Sequence, residues 1–168
     1  MSRVSSQVLV RPVTPADVST LFDLIRTKAE YENIPHAVTG NAATLEAHLF
    51  GERPHIEAIL VESSGQVVGF ATFFSNYSTY MTQVGIHLDD LFVVAEYRGM
   101  GIGKALMSYI AQLGVKRGCG RLEWNVAQWN KSAIAFYERM GGSILPDCRT
   151  CRVVGESLNH LALLYQQT

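Results

Sequence analysis

Apolar and polar positions along the chain change period several times, and each change marks an element. Val8-Leu9-Val10 followed by Arg11-Pro12-Val13 reads as a first strand over 8–13. Thr14-Pro15 is an N-cap followed by proline at the first helical position, with Asp17 in the first turn. Val18, Leu21, Phe22 and Ile25 then keep a helical spacing to about Ala29. Residues 30–35 break that spacing into a loop, and a short helix is predicted over 43–50, stopped by Gly51. Loose alternation over 55–62, a turn at 63–66 and a nearly all-apolar run over 67–74 predict a hairpin. Its second strand is expected to be central, with Gly69 marking a bulge. Residues 76–83 are polar and tyrosine-bearing, so a loop is expected there.

Residues 84–94 form the longest strand candidate. It ends in Leu91-Phe92-Val93-Val94, passes a short link, Ala95-Glu96-Tyr97, and meets Arg98-Gly99-Met100-Gly101-Ile102-Gly103. The period then becomes helical, with Ile102, Leu106, Ile110 and Leu113 on one face and Gly118 as the stop. Further on, the pattern predicts a strand over 121–126 and a helix capped by Asn130 through Met140. A strand over 149–154 and a final helix over 157–166 follow. Antiparallel hairpins come first and a βαβα unit second. The expected fold is α/β (α+β), a mixed, mostly antiparallel sheet with helices on both faces.

Composition narrows the picture. The chain has 168 residues, one domain's worth, with 48% hydrophobic and 17% charged positions, enough for a real core. A net charge of −1 gives no electrostatic case for nucleic acid. No apolar run approaches the ~18 residues of a membrane span, and the opening MSRVSSQVLV lacks the apolar core of a signal peptide. Three cysteines, Cys119, Cys148 and Cys151, suit a reducing compartment, so a cytoplasmic location is expected. Cys148-x-x-Cys151 has no second Cys/His pair at ligand spacing and reads as two incidental thiols. The five histidines are scattered, with no H-x-x-x-H pair, so no metal is assigned.

The strand–glycine turn–helix unit is where chemistry concentrates. Glycines let the backbone turn tightly and approach a ligand. The first amides of a helix have no internal partner and carry the positive end of the dipole, so an anion suits the place. Arg98 adds a fixed charge. A Walker loop fails, because Gly103-Lys104 is followed by Ala105 and Arg98 stands where the first glycine belongs. A dinucleotide fingerprint fails too, since Gly99-x-Gly101-x-Gly103 is one residue short.

Arg98-Gly99-Met100-Gly101-Ile102-Gly103 instead resembles the acetyl-CoA motif [QR]-x-x-G-x-[GA] of the GNAT superfamily of N-acetyltransferases. Within it, four blocks in order are similar to the spermidine/spermine (diamine) and thialysine N-acetyltransferases. They are Leu88-Asp89-Asp90-Leu91-Phe92-Val93, Tyr97-Arg98-Gly99-Met100-Gly101-Ile102-Gly103, Val126-Ala127-Gln128-Trp129-Asn130 and Ala135-Phe136-Tyr137, and Ala29-Glu30-Tyr31-Glu32 near the start fits the same subfamily. The resemblance covers nearly the whole chain and implies the GNAT fold in a single domain.

It also implies roles. Backbone amides from Gly99 through Met100, Gly101, Ile102 and Gly103 to Lys104, with Arg98, would grip the CoA pyrophosphate. Leu91, Phe92 and Val93 would pair with the pantetheine arm like an added strand, one amide polarising the thioester oxygen. Asn130, with Lys131, Ser132 and Ala133 at the same helix start, would contact the cofactor; helix capping alone also explains Asn130. Tyr137 would be the general acid for the departing thiolate, although its helical spacing also suits a core tyrosine. An alkylammonium has a pKa near ~10.4 and must be bound and then deprotonated. Asp89 would contact the amine and take its proton, with Tyr31 and Glu32 binding the cation and Glu123 and Trp124 lining the same groove. Two departures stand against a polyamine: Ile34-Pro35-His36 is largely uncharged, and Cys148 replaces an expected bulky aromatic. The expected activity is acetyl transfer from acetyl-CoA to a small cationic amine by direct attack. The alternatives are another amine (amino acid, antibiotic or protein) or a catalytically silent CoA-binding module. By analogy with the family, a homodimer is expected, with the last strand and tail at its interface.

Overall fold

The computed structural model describes residues 8–164. They fall into two compact units, one running to Ala127 and one beginning at Gln128. The first holds β1 (Val8–Pro12), α1 (Val18–Tyr31), α2 (Ala42–Phe50), β2 (Glu57–Ser63), β3 (Gln66–Ser78), β4 (Gln83–Val93), α3 (Ile102–Lys116) and β5 (Leu122–Trp124). The second holds α4 (Lys131–Arg139) and α5 (Glu156–Leu163).

The five strands form one sheet in sequence order, antiparallel from β1 to β4, with β5 parallel to β4. Residues directly opposite across a strand pair share a face. Leu60, Phe70 and Phe92 stand in one such row and pack with Val18 and Leu21 of α1 and Leu49 of α2. The alternate row carries Ile59, Ala71 and Phe73, all buried. α3 packs across β1 to β4 and buries Ile102, Leu106 and Ile110. The sheet is therefore covered on both faces, as the mixed pattern required.

Helix ends follow local chemistry. Asp17 accepts from the Arg11 guanidinium at 2.8 and 2.9 Å, and from the Thr14 amide and hydroxyl at 2.8 and 2.6 Å. These bonds, Arg11 first, hold the Asp17 carboxyl well below the usual carboxylate range. A depressed carboxyl stabilises the fold above its unfolded value near ~4 and loses that contribution as pH falls towards the folded value. Asp17→Asn is expected to cost about 1–3 kcal/mol at pH 7. In urea unfolding the gap to the unaltered chain should shrink steadily below about pH 4; a gap independent of pH would contradict the assignment.

α1 runs two residues past its expected end. Asn33 takes a left-handed φ of 59°, and the amides of Asn33 and Ile34 return to the carbonyls of Glu30 and Ala29. That is a Schellman stop with asparagine in the glycine place. It sets Tyr31 and Glu32 on the last turn of the helix rather than in a loop.

Three other sequence expectations change. Residues 76–78 extend β3, pairing Asn76, Tyr77 and Ser78 with Gly85, Val84 and Gln83, so the expected loop shrinks to the turn at 79–82. The strand over 121–126 is confined to Leu122–Trp124. The strand expected over 149–154 does not form. Among the described residues its own unit contains only α4 and α5 and so supplies no strand to complete a ladder. The last two residues of the helix expected over 157–166 lie outside the described residues, as do residues 1–7 of the opening segment.

Candidate active site

β4 carries the site. Its register with β3 pairs Leu88 with Phe73 and Asp90 with Thr72, which leaves Asp89 as the extra residue of a β-bulge. The parallel pairing of β4 with β5 covers Ile86, His87 and Leu88 against Leu122, Glu123 and Trp124, and stops at the same point. From residue 89 to 93, β4 therefore keeps β3 on one side and, among the described residues, has no paired strand on the other. A strand edge of this kind presents unpaired amides and carbonyls to an extended ligand.

Two neighbouring carboxylates meet at the bulge. Asp90 joins the row of Thr72, Phe70 and Phe92 that faces α1. Its carboxylate meets the Lys28 ammonium at 2.9 Å and accepts from the Thr72 hydroxyl at 3.4 Å. Asp89 is exposed at the bulge. A regular strand would have turned the two residues to opposite faces by alternation alone; the bulge instead lifts Asp89 out of the ladder.

The turn after β4 is shaped by two glycines. Gly99 and Gly101 take φ of 77° and 83°, the left-handed region that disfavours side chains. A Cβ at either position would meet nothing within 4 Å, so backbone conformation and not crowding calls for glycine. Upstream, a Cβ at Gly69 would come within 2.5 Å of the Phe92 carbonyl oxygen, so glycine there lets β3 and β4 close up beside the turn. Gly101 is the N-cap of α3, and the first bond back to it comes from the Ala105 amide at 3.0 Å. The amides of Ile102, Gly103 and Lys104 precede that bond and have no acceptor within the helix. Met100 and Lys104 are exposed and Ile102 is buried, so the contribution of this stretch to a ligand is from backbone. These bared amides fit a diphosphate-bearing ligand such as CoA. Arg98 braces the turn: its Nε donates to the Val93 carbonyl at 2.9 Å, and its guanidinium lies 4.1 Å from the Tyr31 ring centroid and 5.6 Å from that of Phe92.

Around this strand end the structure gathers Tyr31, Glu32, Asp90, Arg98 and Lys28. Lys28 was not legible as a site residue. Its ammonium bridges Asp90 and Glu32, at 2.9 and 2.8 Å. Burial alone would lower its pKa, but the two carboxylates, Asp90 first, more than offset this and hold it raised. The only sequence signal was the i,i+4 spacing of Lys28 and Glu32, common on any solvated helix.

Glu123 sits opposite His87 on the β5 side. It is held by Asn76 and by Arg121, with Nε–Oε2 at 3.0 Å, and His87 Nδ1 lies 3.8 Å from it. His87 stacks on Phe74, with ring centroids 4.9 Å apart. Trp124 is half-buried on the last paired rung. In the second unit Asn130 caps α4, its Oδ1 accepting from the Ala133 amide at 3.1 Å and the Ser132 hydroxyl at 3.0 Å. Lys131 and Ser132 are exposed there. Tyr137 is half-buried on α4, its ring centroid 5.3 Å from that of Phe136. Among the described residues no group of three or more His, Cys, Asp or Glu could hold a metal, and no helix is long and apolar enough to cross a membrane.

A bulged strand with one open edge, feeding a left-handed glycine turn and a helix with bared amides, defines the acyl-CoA-binding type of acyltransferase fold. The chain belongs to the Acetyltransferase (GNAT) family, whose pattern matches residues 21–142. It is 32% identical over 166 residues to the thialysine N-epsilon-acetyltransferase of Bos taurus, covering 92% of this chain and 97% of that one. It is 29% identical over 194 residues to the L-ornithine N5-acetyltransferase of Arabidopsis thaliana, covering 89% and 85%. An integron cassette protein from the mobile metagenome of V. cholerae shares the fold at a TM-score of 0.75 and 26% identity, covering 92% of this chain and 97% of that one. The chain is thus an N-acetyltransferase of this family, and the likeness read from the four sequence blocks holds.

Proposed function

We propose that the protein transfers an acetyl group from acetyl-CoA to a primary amine of a small cationic substrate, by direct attack in a ternary complex. The observation that carries this reading is a coincidence of place. The β4–β5 pairing stops, Asp89 bulges out and the glycine turn begins within one stretch of chain.

That stretch suits the holding of the coenzyme and the deprotonation of the amine, and the family resemblance adds Tyr137 as the acid. Amides from Gly99 to Lys104 would hold the diphosphate, and the open edge at Leu91, Phe92 and Val93 would hold the pantetheine arm and polarise the thioester oxygen. Acetyl-CoA supplies the activated acyl group. The amine nitrogen forms a bond to the carbonyl carbon, and the carbon–sulfur bond breaks. Asp89, exposed at the bulge, takes the proton that the ammonium must lose, directly or through water. Tyr137, a phenol protonated at neutral pH, gives its proton to the departing thiolate and is reprotonated by the second proton that the nitrogen sheds on becoming an amide. Tyr31, Glu32, Glu123 and Trp124 line the amine's approach in this reading, although Glu32 and Glu123 each already hold a cation. The test is thiol release from acetyl-CoA against a panel of thialysine, ornithine, spermidine, n-butylamine and a lysine peptide. Saturable release with one or more of the small amines is expected; release with the peptide alone, or with none, would overturn the reading.

A homodimer is part of the same proposal. Ile144, Leu145, Val153, Val154, Leu158 and Leu161 of the second unit are exposed apolar residues that a second copy could cover, in the region the family analogy assigns to the interface. Sedimentation at micromolar concentration is expected to read twice the chain mass of 18.6 kDa; a single-chain mass would contradict it.

A further inference from the structure

We infer that Lys28 is a specificity-determining residue, an internal cation that fills the acidic subsite a second ammonium of a di- or polyamine would otherwise take. The inference rests on the amine-acetylating reading of the Asp89 strand end. Its ground is the geometry of α1 against β4. Asp90 follows the bulged Asp89 directly, so their Cα atoms lie about 3.8 Å apart. Asp90 and Glu32 are two carboxylates, about four-fifths and three-quarters buried, that point at one position. The Lys28 ammonium occupies that position, 2.9 and 2.8 Å from the two, and its side chain is 19% exposed.

On the side of the strand end that faces α1, two cations, Lys28 and Arg98, stand against two carboxylates, Asp90 and Glu32, while Asp89 at the bulge is the carboxylate assigned to the reacting amine. A polycation needs an excess of negative charge along its length. With Asp89 serving the reacting amine, the α1-facing side offers none, and an incoming second ammonium would meet Lys28 beside two partly buried carboxylates, where like charges repel strongly. The site is therefore set for amines whose far end is neutral or carries a carboxylate. Ile34-Pro35-His36, on the loop just beyond α1, adds no further carboxylate.

Removing the cation should open the subsite. In calorimetric titration of the full chain, Lys28→Met is expected to bind spermidine about tenfold more tightly than the unaltered protein, or better. Lys28→Gln, which keeps a hydrogen-bond donor for Asp90 but loses the charge, should shift the same way. Lys28→Arg should leave spermidine affinity low. The double variant Lys28→Met, Asp90→Asn should lose the gain, because the freed carboxylate is its source. Equal or weaker spermidine binding by both uncharged variants, with CoA affinity intact, would overturn the inference. The titration needs no turnover. Failure of every amine in the thiol-release panel would therefore sink the proposed function while the binding comparison still judged Lys28.

Discussion

Tyr137→Phe is expected to lower kcat by about 100-fold or more while leaving CoA affinity within about threefold. The substitution removes one hydroxyl and keeps the ring, so the contact with Phe136 and the half-buried place on α4 persist. What is lost is the donor. A thiolate leaving without a proton must be expelled as an anion, which raises the barrier by about 3 kcal/mol or more for a 100-fold loss. The split between kcat and binding separates this role from packing, because a core tyrosine replaced by phenylalanine would change stability and spare turnover. Stopped thiol-release kinetics with a saturating amine, alongside calorimetry with CoA, measures both. Full kcat in the variant would remove Tyr137 from the mechanism.

Gly101→Val is expected to weaken CoA binding by about 100-fold and to cost the fold only about 1–2 kcal/mol. Gly101 sits at φ 83°, a conformation that a β-branched residue resists. The chain escapes by turning the peptide back to negative φ, which swings the N-cap of α3 and re-aims the amides of Ile102 and Gly103. Losing two hydrogen bonds to a charged group at about 1.5 kcal/mol each gives the stated factor. Stability suffers less, because a Cβ there meets nothing within 4 Å and the buried face of α3 is untouched. Titration of CoA together with a thermal melt reads the two effects apart; unchanged affinity would show that the turn does not hold the ligand.

Much of this architecture was legible before any coordinates. The spacing of Ile102, Leu106 and Ile110 gave α3 its buried face, and Gly118 past its end adopts φ 69° as a helix stop should. The glycine turn was legible because only a positive φ or a close approach explains glycines on alternate positions before a helix. Gly69 marked its bulge because the pairing of Val61 with Gly69 and Glu62 with Val67 leaves Val68 between them. The bulge at Asp89 was not legible. A bulge is a property of two strands in register, and Leu88-Asp89-Asp90-Leu91 alone reads as plain alternation. The same reason explains residues 149–154, whose β-forming composition meets no partner strand among the described residues of its unit, and the longer β3–β4 ribbon, whose pairing overrides polar side chains. Lys28 escaped notice because its partner Asp90 is 62 positions away along the chain, a contact that helical periodicity cannot announce.

In the proposed enzyme the bared amides of the glycine turn and the open edge of β4 together hold the coenzyme. Amide chemical shifts recorded while CoA is added to the full chain test it most directly. The largest changes are expected on Gly99 through Lys104 and on Leu91, Phe92 and Val93, saturating with one CoA per chain. CoA binding that saturates while those amides stay unmoved would contradict it.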